Sequence, residues 1–286
     1  MNTRDARLHA FRADLADERL KGEVTAERFV PGRPARVATP VADVRTGPRA
    51  DAGLSTQFLC GDAIRVFDEA DDWAWVQAER DGYVGYLAVA DLEHPGPDAT
   101  HVVAVPRTFL YPGPDLRLPR AGALSLGSTV AVTGAAETRG TAYAVLASGA
   151  AVVAAHLAPV GQRADDYVAV AESLAATPYL WGGASAFGID CSGLVQLAMR
   201  MTGRDVLRDS DMQAAALGAA LDPGPGLAGL RRGDLVFWKG HVAIVTGDDG
   251  IVHASGHTMM VSREGLREAI GRIGHLYGQP TGFRRP

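Results

Sequence analysis

The stretch of residues 177–196 most constrains how this chain can fold, because it places a single thiol where a loop gives way to a helix. One proline, several glycines and aromatic side chains make residues 178–188 an irregular loop. The apolar residues that follow recur at helical spacing: Leu194, Val195, Leu197, Ala198 and Met201. Cys191 is therefore predicted at a helix N-terminus, where unpaired N–H groups and the helix dipole favour the thiolate, which is the nucleophilic form.

Cys191 alone is better explained as a small buried hydrophobic residue than as a catalyst. Two histidines further along the chain, His241 and His253, favour the catalytic interpretation. A thiol nucleophile needs a base, and that base needs a partner that orients its ring. The three residues together therefore predict nucleophilic catalysis.

Length and charge limit the class of protein. A chain of 286 residues is long enough for about two domains, or three small ones. Its net charge of −5 and the lack of a basic stripe argue against nucleic acid as a partner. Residues 1–22 carry too many charges for a signal peptide, and no apolar run is long enough to span a membrane. Both cysteines, Cys60 and Cys191, are expected as free thiols, as in a reducing compartment. We therefore expect a cytoplasmic protein without a membrane partner.

The first half of the chain is predicted to be rich in β-structure. Residues 37–92 contain short alternating segments separated by glycine, aspartate and proline, which is typical of a small barrel. Residues 101–157 are a fainter copy at an offset of roughly 65 residues, and both segments resemble bacterial SH3-like domains. The predicted organisation is an N-terminal arm at 1–35, SH3-like domains at 36–95 and 98–160, and a catalytic domain at 161–286. The arm is expected to be either a short helix or a segment docked on the body.

Helices precede strands in residues 161–286, which predicts an α+β domain with helices packed on an antiparallel sheet. Apolar spacing indicates helices over residues 164–176, after Cys191 and after Arg208. The predicted strands are residues 235–238, 241–246, 251–254 and 275–278.

The hairpin between the two histidine-bearing strands decides whether the histidines can meet. Its simplest connection is a two-residue loop at Asp249 and Gly250. His253 would then lie opposite Thr246 and point away from His241, because side chains alternate along a strand. The catalytic interpretation therefore requires a longer loop or a bulge, and even then the expected separation is about 13 Å without strand curl.

Structural alternatives exist for both histidines. His241 could be a polar residue at a strand entrance, and His253 a buried histidine with a backbone partner. A zinc site would add His257. It is disfavoured because Ser255 and Gly256 break the helix that usually carries such a histidine pair, and no carboxylate stands at a familiar zinc spacing. We expect no metal and no cofactor.

Five motifs follow one another between about residues 165 and 280: PYLWGG from Pro178, DCSGLVQ from Asp190, GDLVFW from Gly233, HVAIV from His241 and VHASG from Val252. In order and spacing they resemble the NlpC family of papain-like cysteine peptidases, which cut peptides of bacterial cell-wall origin. The resemblance implies Cys191 as nucleophile, His241 as general base and then acid, and His253 as the group that orients the His241 ring. It also implies that the Tyr179 hydroxyl joins the backbone N–H of Cys191 in an oxyanion hole.

The two SH3-like modules make the chain similar to the subgroup of cytoplasmic γ-D-glutamyl-L-diamino acid endopeptidases. That resemblance implies a peptide ligand that begins with free L-Ala-γ-D-Glu, and its amine would be held by acidic and hydroxyl groups near the nucleophile. The matching positions are Asp190, Ser192, Asp209 and Ser210, with Trp181 as an apolar wall and Tyr86 from the first module. Helix capping would explain the first four equally well, and core packing would explain Tyr86.

The predicted activity is hydrolysis of the γ-D-glutamyl–diamino acid bond in short murein peptides with a free N-terminus, during cell-wall recycling. Two alternatives stay open, namely an amidase or acyltransferase on the same scaffold and an inert module that binds wall peptides. The family also uses an acidic residue of the first module to hold the ligand amine. Asp51 and Asp62 are the candidates, and both are equally well explained as turn residues.

Overall fold

The chain divides into two units, Met1–Gln162 and Arg163–Pro286, in a computed structural model that describes residues 4–286. Within residues 4–286, the first unit consists of strands and short 3-10 turns, whereas the four α-helices belong to the second. None of the helices in residues 4–286 combines the length and the apolar character that a membrane span requires.

The N-terminal segment is an arm docked on the first unit and contains no α-helix in its described part. It has two short strands that pair in parallel, β1 (Leu15–Asp17) and β2 (Arg28–Val30). Apolar residues of the arm, including Leu15, pack against Phe67 and Trp75. Of the two expected forms, a helix or a docked segment, the structure therefore shows the docked segment.

The first predicted barrel region forms one seven-stranded sheet with the order β5-β4-β8-β7-β6-β3-β9. Residues of its strands alternate between core and surface, because apolar side chains recur at every second position. The inward side chains form a single core cluster that includes Val37, Val44 and Leu87. The strands are β3 (Arg33–Val37), β4 (Val41–Arg45), β5 (Leu54–Leu59), β6 (Ala63–Ala70), β7 (Trp73–Ala78), β8 (Val84–Ala88) and β9 (Leu92–Glu93).

The second predicted barrel region is divided into three small sheets with the strand orders β13-β10-β17, β11-β12 and β14-β15-β16. A separate core cluster, which includes Val103, Leu124 and Val152, lies among these strands. The presence of two closed SH3-like barrels stays a prediction. The strands are β10 (His101–Val103), β11 (Arg107–Leu110), β12 (Gly122–Ser125), β13 (Thr129–Val130), β14 (Val132–Thr138), β15 (Thr141–Leu146), β16 (Ala151–Val153) and β17 (Leu157–Pro159).

The second unit is built on a six-stranded antiparallel sheet with the order β20-β25-β21-β22-β23-β24. Its strands are β20 (Ala219–Ala220), β21 (Leu235–Trp238), β22 (His241–Gly247), β23 (Gly250–Ser255), β24 (Met260–Gly265) and β25 (Gly282–Arg285). A separate two-stranded sheet contains β18 (Ala184–Ser185) and β19 (Gly188–Ile189). The helices are α1 (Tyr167–Ser173), α2 (Cys191–Met201), α3 (Ser210–Ala216) and α4 (Leu266–Tyr277). Helices α1 and α2 contact β22 and β23, so the predicted α+β architecture is present.

One predicted strand is wrong. Residues 275–278 were expected to be extended, but residues up to Tyr277 form the last turn of α4. The reason is the stripe formed by Leu266, Ala269 and Ile273, which recur at helical spacing and are buried against the sheet.

Candidate active site

Cys191 is the first residue of α2 and is 5% exposed. Asp190 caps this helix, because its Oδ1 accepts a hydrogen bond of 2.7 Å from the N–H of Gly193. The sulfur lies 3.9 Å from the carbonyl oxygen of Gly240 and accepts a hydrogen bond from the N–H of Val242. The thiol is thus seated against the backbone on both sides of His241.

Small residues allow the helix to begin at this point. A Cβ atom added to Gly193 would lie 2.4 Å from the carbonyl oxygen of Gly183, and one added to Gly183 would lie 2.5 Å from that of Gly188. The loop before Cys191 therefore packs backbone against backbone on the first turn of α2.

Asp190 is held in place by more than its capping bond. Its two carboxylate oxygens accept five hydrogen bonds, from the N–H groups of Gly182 and Gly193, the Ser192 hydroxyl, and both terminal nitrogens of Arg208. The contacts with Arg208 are 2.9 and 2.7 Å long, and that arginine is 1% exposed. In this buried bidentate ion pair the guanidinium of Arg208 balances the charge of the Asp190 carboxylate.

Burial favours the neutral forms of Cys191 and His241, whereas the sequence analysis expected a Cys191 thiolate. Burial, aided by the charge of Asp190, raises the pKa of the Cys191 thiol to about 12. Burial and the neighbouring His253 lower the pKa of His241 to about 3. The helix N-terminus was expected to favour the thiolate, but desolvation outweighs it and favours the neutral thiol, as it favours the neutral imidazole of His241.

A β-bulge brings the two histidines to the same face of the sheet. Strands β22 and β23 are joined by a turn at Asp248 and Asp249, both with positive φ angles of 48° and 59°. Behind this turn the pairing shifts by one residue between Val245 and Gly247. A shift of one residue reverses the face that every later side chain occupies.

The shifted register pairs Ile244 with Val252, and its continuation places His253 opposite Ala243. His241 is then only two residues further along the partner strand, about 7 Å rather than the expected 13 Å. The side chains close the remaining gap, since Nε2 of His241 lies 2.8 Å from Nδ1 of His253.

His253 also contacts an acidic residue that the sequence analysis missed. Its Nε2 atom lies 2.8 Å from Oε1 of Glu264 on the neighbouring strand β24, and the ring is 1% exposed. Glu264 in turn forms an ion pair with Arg272 of α4. These contacts, led by the one with His253, lower the pKa of the Glu264 carboxyl to about 2. Nothing in the local sequence pattern marks Glu264, because only the pairing of β23 with β24 brings it to His253.

Tyr179 is half-buried on the loop before α2, and its N–H donates to the carbonyl oxygen of Met259 over 2.9 Å. Burial, followed by the charges of Cys191 and Asp190, raises the pKa of its hydroxyl above the usual range. The hydroxyl therefore stays protonated and can donate a hydrogen bond. Its oxyanion role stays a prediction.

The other predicted ligand-binding residues of this unit differ in exposure. Trp181 is 71% exposed, whereas Ser192 is 5% exposed and receives a hydrogen bond of 3.0 Å from Arg208. Asp209 occupies the N-cap position of α3, and Ser210 begins that helix; both are half-buried. Asp209 and Ser210 thus offer more accessible oxygens than Ser192 does.

Tyr86, Asp51 and Asp62 belong to the first unit. The Tyr86 hydroxyl accepts a hydrogen bond of 3.3 Å from Arg12 of the arm, whose guanidinium lies 4.4 Å from the centre of the Trp75 ring. Asp51 pairs with Arg49 on the surface, and Asp62 accepts a hydrogen bond from the N–H of Leu59. Their roles in ligand binding stay predictions.

Residues 4–286 contain no group of three or more histidine, cysteine or acidic side chains arranged to hold a metal ion. His257, the third member of the alternative zinc site, is exposed beyond the end of β23. Its N–H donates to the hydroxyl of Ser255 over 3.2 Å.

Comparisons with known proteins agree with this architecture. The NlpC/P60 family matches residues 176–270, and the bacterial dipeptidyl-peptidase SH3 domain matches residues 44–92. The gamma-D-glutamyl-L-lysine dipeptidyl-peptidase of Bacillus subtilis (strain 168) is 28% identical over 235 residues, which cover 74% of this chain and 76% of that protein. Dipeptidyl-peptidase 6 of Lysinibacillus sphaericus is 27% identical over 268 residues, which cover 83% and 97%.

The fold is also similar to that of a solved structure, an NlpC/P60 family protein from Bacillus cereus ATCC 10987. The TM-score is 0.73 at 22% identity, and the match covers 88% of this chain and 99% of the other. At this identity the likeness concerns the fold alone. These findings lead to one conclusion: the chain carries an NlpC/P60 domain of papain-like fold, matched at residues 176–270, and a bacterial SH3 domain, matched at residues 44–92.

Proposed function

We propose that this protein is a cysteine endopeptidase that hydrolyses the γ-D-glutamyl–diamino acid bond of murein peptides with a free N-terminus. The observation that carries the proposal is the contact of 2.8 Å between Nε2 of His241 and Nδ1 of His253, next to a thiol seated against the backbone around His241. The name of the Bacillus subtilis relative supports the choice of bond.

The reaction begins with proton transfer from the Cys191 thiol to the free ring nitrogen of His241 as the sulfur attacks the γ-carbonyl carbon. Because burial favours the neutral form of both groups, we infer that the proton moves as the new carbon–sulfur bond forms. The backbone N–H of Cys191 and the protonated Tyr179 hydroxyl stabilise the oxyanion.

Collapse of the tetrahedral intermediate breaks the carbon–nitrogen bond, and His241 donates its proton to the departing amine. A thioester between Cys191 and the γ-carboxyl of D-Glu remains. Water then attacks this thioester with His241 as general base, which regenerates the thiol and releases L-Ala-γ-D-Glu.

Ligand binding is proposed for Asp190, Ser192, Asp209 and Ser210, with Trp181 as the apolar wall. The charge of Asp190 is already balanced by Arg208, so Asp190 alone would bind a ligand amine weakly. We therefore assign Asp190 to the orientation of the Ser192 hydroxyl. Asp209 and Ser210 would then contact the ligand amine directly.

The test is incubation of the protein and its Cys191→Ala variant with L-Ala-γ-D-Glu-meso-diaminopimelate and with the L-lysine peptide, followed by mass spectrometry. We expect release of the free diamino acid by the wild type alone and no cleavage of the N-acetylated peptide. Equal cleavage of acetylated and free peptides would refute the specificity for a free N-terminus. Transfer of the acyl group to an added amine would identify an acyltransferase, and binding without cleavage would identify an inert binding module.

The physiological setting is part of the proposal. A peptidase that requires a free N-terminus acts on peptides already released from the glycan, which fits recycling of wall fragments in the cytoplasm. Accumulation of L-Ala-γ-D-Glu-containing tripeptides in cells that lack the protein would support this setting, and unchanged tripeptide levels would contradict it.

A further inference from the structure

We propose that Glu264 is a positioning residue for the proposed peptidase reaction, acting through His253 to set which ring nitrogen of His241 is free to accept the thiol proton. The inference deepens the proposed function and rests on it. Glu264 would thus support the proposed catalytic residues Cys191, His241 and His253 without contacting the nucleophile.

The geometry supports a continuous chain of contacts. Nε2 of His241 lies 2.8 Å from Nδ1 of His253, and Nε2 of His253 lies 2.8 Å from Oε1 of Glu264. The second contact is bent, and the Nε2 atom of His253 has no well-aligned hydrogen-bond acceptor among residues 4–286. Glu264 is thus the acceptor placed to receive the buried N–H of this ring.

The chain selects one tautomer for each ring. A carboxylate can only accept, so the proton of His253 belongs on Nε2, beside Glu264, and Nδ1 carries the lone pair. That lone pair accepts the Nε2–H of His241. The remaining nitrogen of His241, Nδ1, is then unprotonated and able to take a proton from the thiol.

Charge adds to this effect. Glu264 faces His253, and the charged group packed against it from α4 is Arg272. Burial, His253 and Arg272 lower the pKa of His241, whereas the negative charge of Glu264 raises it. When Cys191 gives up its proton, the carboxylate therefore stabilises the imidazolium of His241. The contacts with His253 and then Arg272 lower the pKa of Glu264 and favour its ionised form.

Two variants separate orientation from charge. Glu264→Gln keeps an acceptor oxygen but removes the charge, whereas Glu264→Ala removes both. The matched control is Glu268→Gln, the same chemical change at an exposed position on the first turn of α4. Thermal unfolding of all variants shows whether each one is folded.

The first readout is steady-state cleavage of L-Ala-γ-D-Glu-meso-diaminopimelate. We expect Glu264→Ala to lower kcat about 10- to 100-fold with little change in KM, as is typical when a partner that orients a functional histidine is removed. Glu264→Gln should lower kcat less, and the acid limb of its pH profile should move to lower pH, because the charge that raises the pKa of His241 is gone. Glu268→Gln should match the wild type.

The second readout does not need activity. ¹⁵N NMR of histidine-labelled protein should show the proton of His253 on Nε2 in the wild type and a mixture of tautomers in Glu264→Ala. Inactive wild-type protein with these tautomers would contradict the proposed substrate but keep the role of Glu264. Folded Glu264→Ala with unchanged kcat and unchanged tautomers would overturn that role.

Discussion

His241 and His253 are 12 positions apart in the chain, yet Nε2 of the first lies 2.8 Å from Nδ1 of the second. Their rings meet edge to face, with centroids 5.0 Å apart and an angle of 66° between the planes. This edge-on arrangement points one ring nitrogen of His253 at His241 and leaves the rest of the ring buried. His253 can therefore hold the orientation of His241 without exposure to substrate.

Replacement of His253 by alanine should lower kcat about 10²- to 10⁴-fold, because His241 loses the acceptor that fixes its ring and tautomer. KM should change little, since His253 is 1% exposed and does not reach the ligand. Steady-state cleavage of the tripeptide measures both constants. His253→Asn, which keeps a polar side chain able to accept a hydrogen bond, should retain more activity than His253→Ala, and equal activity of the two would contradict the orienting role.

As the pH is lowered, the rate of cleavage should fall only well below pH 6.5. The neutral imidazole of His241 is the active base, and its pKa is lowered from 6.5 to about 3, so the active form persists well below pH 6.5. The profile of kcat/KM against pH measures this limb in the free enzyme. Half-maximal activity near pH 6.5 would show that burial does not depress the pKa of His241.

Alkylation of Cys191 should be slow in the absence of substrate, because burial raises the pKa of its thiol to about 12 and the thiolate is the reactive form. The rate of iodoacetamide labelling, followed by mass spectrometry in a Cys60→Ser background, measures this reactivity. Rapid labelling in mildly acidic buffer would instead indicate a resting thiolate–imidazolium pair.

Arg208→Met should destabilise the second unit by about 3–5 kcal/mol, because it leaves the Asp190 carboxylate buried without its charged partner. Urea unfolding monitored by fluorescence measures the loss. The double variant Arg208→Met/Asp190→Asn should be more stable than Arg208→Met alone, since no unpaired charge remains. If both variants unfold at the same urea concentration as the wild type, the pair does not stabilise the fold.

Gly193→Ala should cost about 1–3 kcal/mol, because the added methyl group would lie 2.4 Å from the carbonyl oxygen of Gly183 and must displace the loop before Cys191. The displaced loop should also reduce kcat. Gly271→Ala in α4, where an added Cβ meets nothing within 4 Å, is the control and should leave stability and kcat unchanged or slightly improved.

Local signals predicted the parts of this protein that depend on neighbours in the chain. Cys191 begins a helix because a glycine-rich loop and a capping aspartate precede a run of apolar residues at helical spacing. Short apolar runs bounded by turn residues likewise predicted β21, β22 and β23 close to their observed bounds. The strand predicted at residues 275–278 was wrong, because the helix that buries Leu266, Ala269 and Ile273 continues to Tyr277.

The register of the hairpin between β22 and β23 could not be predicted from neighbouring residues alone. The sequence showed that the two histidines could share a face only if the hairpin contained a longer loop or a bulge. The bulge between Val245 and Gly247 meets that condition, and the turn lies one residue earlier than expected, at Asp248 and Asp249. Both shifts bring His253 closer to His241 than the sequence alone indicated.

The amino-acid sequence by itself determined the helix that begins at Cys191, the antiparallel strands that carry both histidines, and the motifs of the NlpC/P60 domain. Only the tertiary structure decided the contact between His253 and Glu264, the burial of Arg208 against Asp190, and the desolvation of the Cys191 thiol, which raises its pKa. The physical reason is that helix starts and strand alternation follow from neighbouring residues. Strand register, ion pairs between distant elements and desolvation arise only when the whole domain packs.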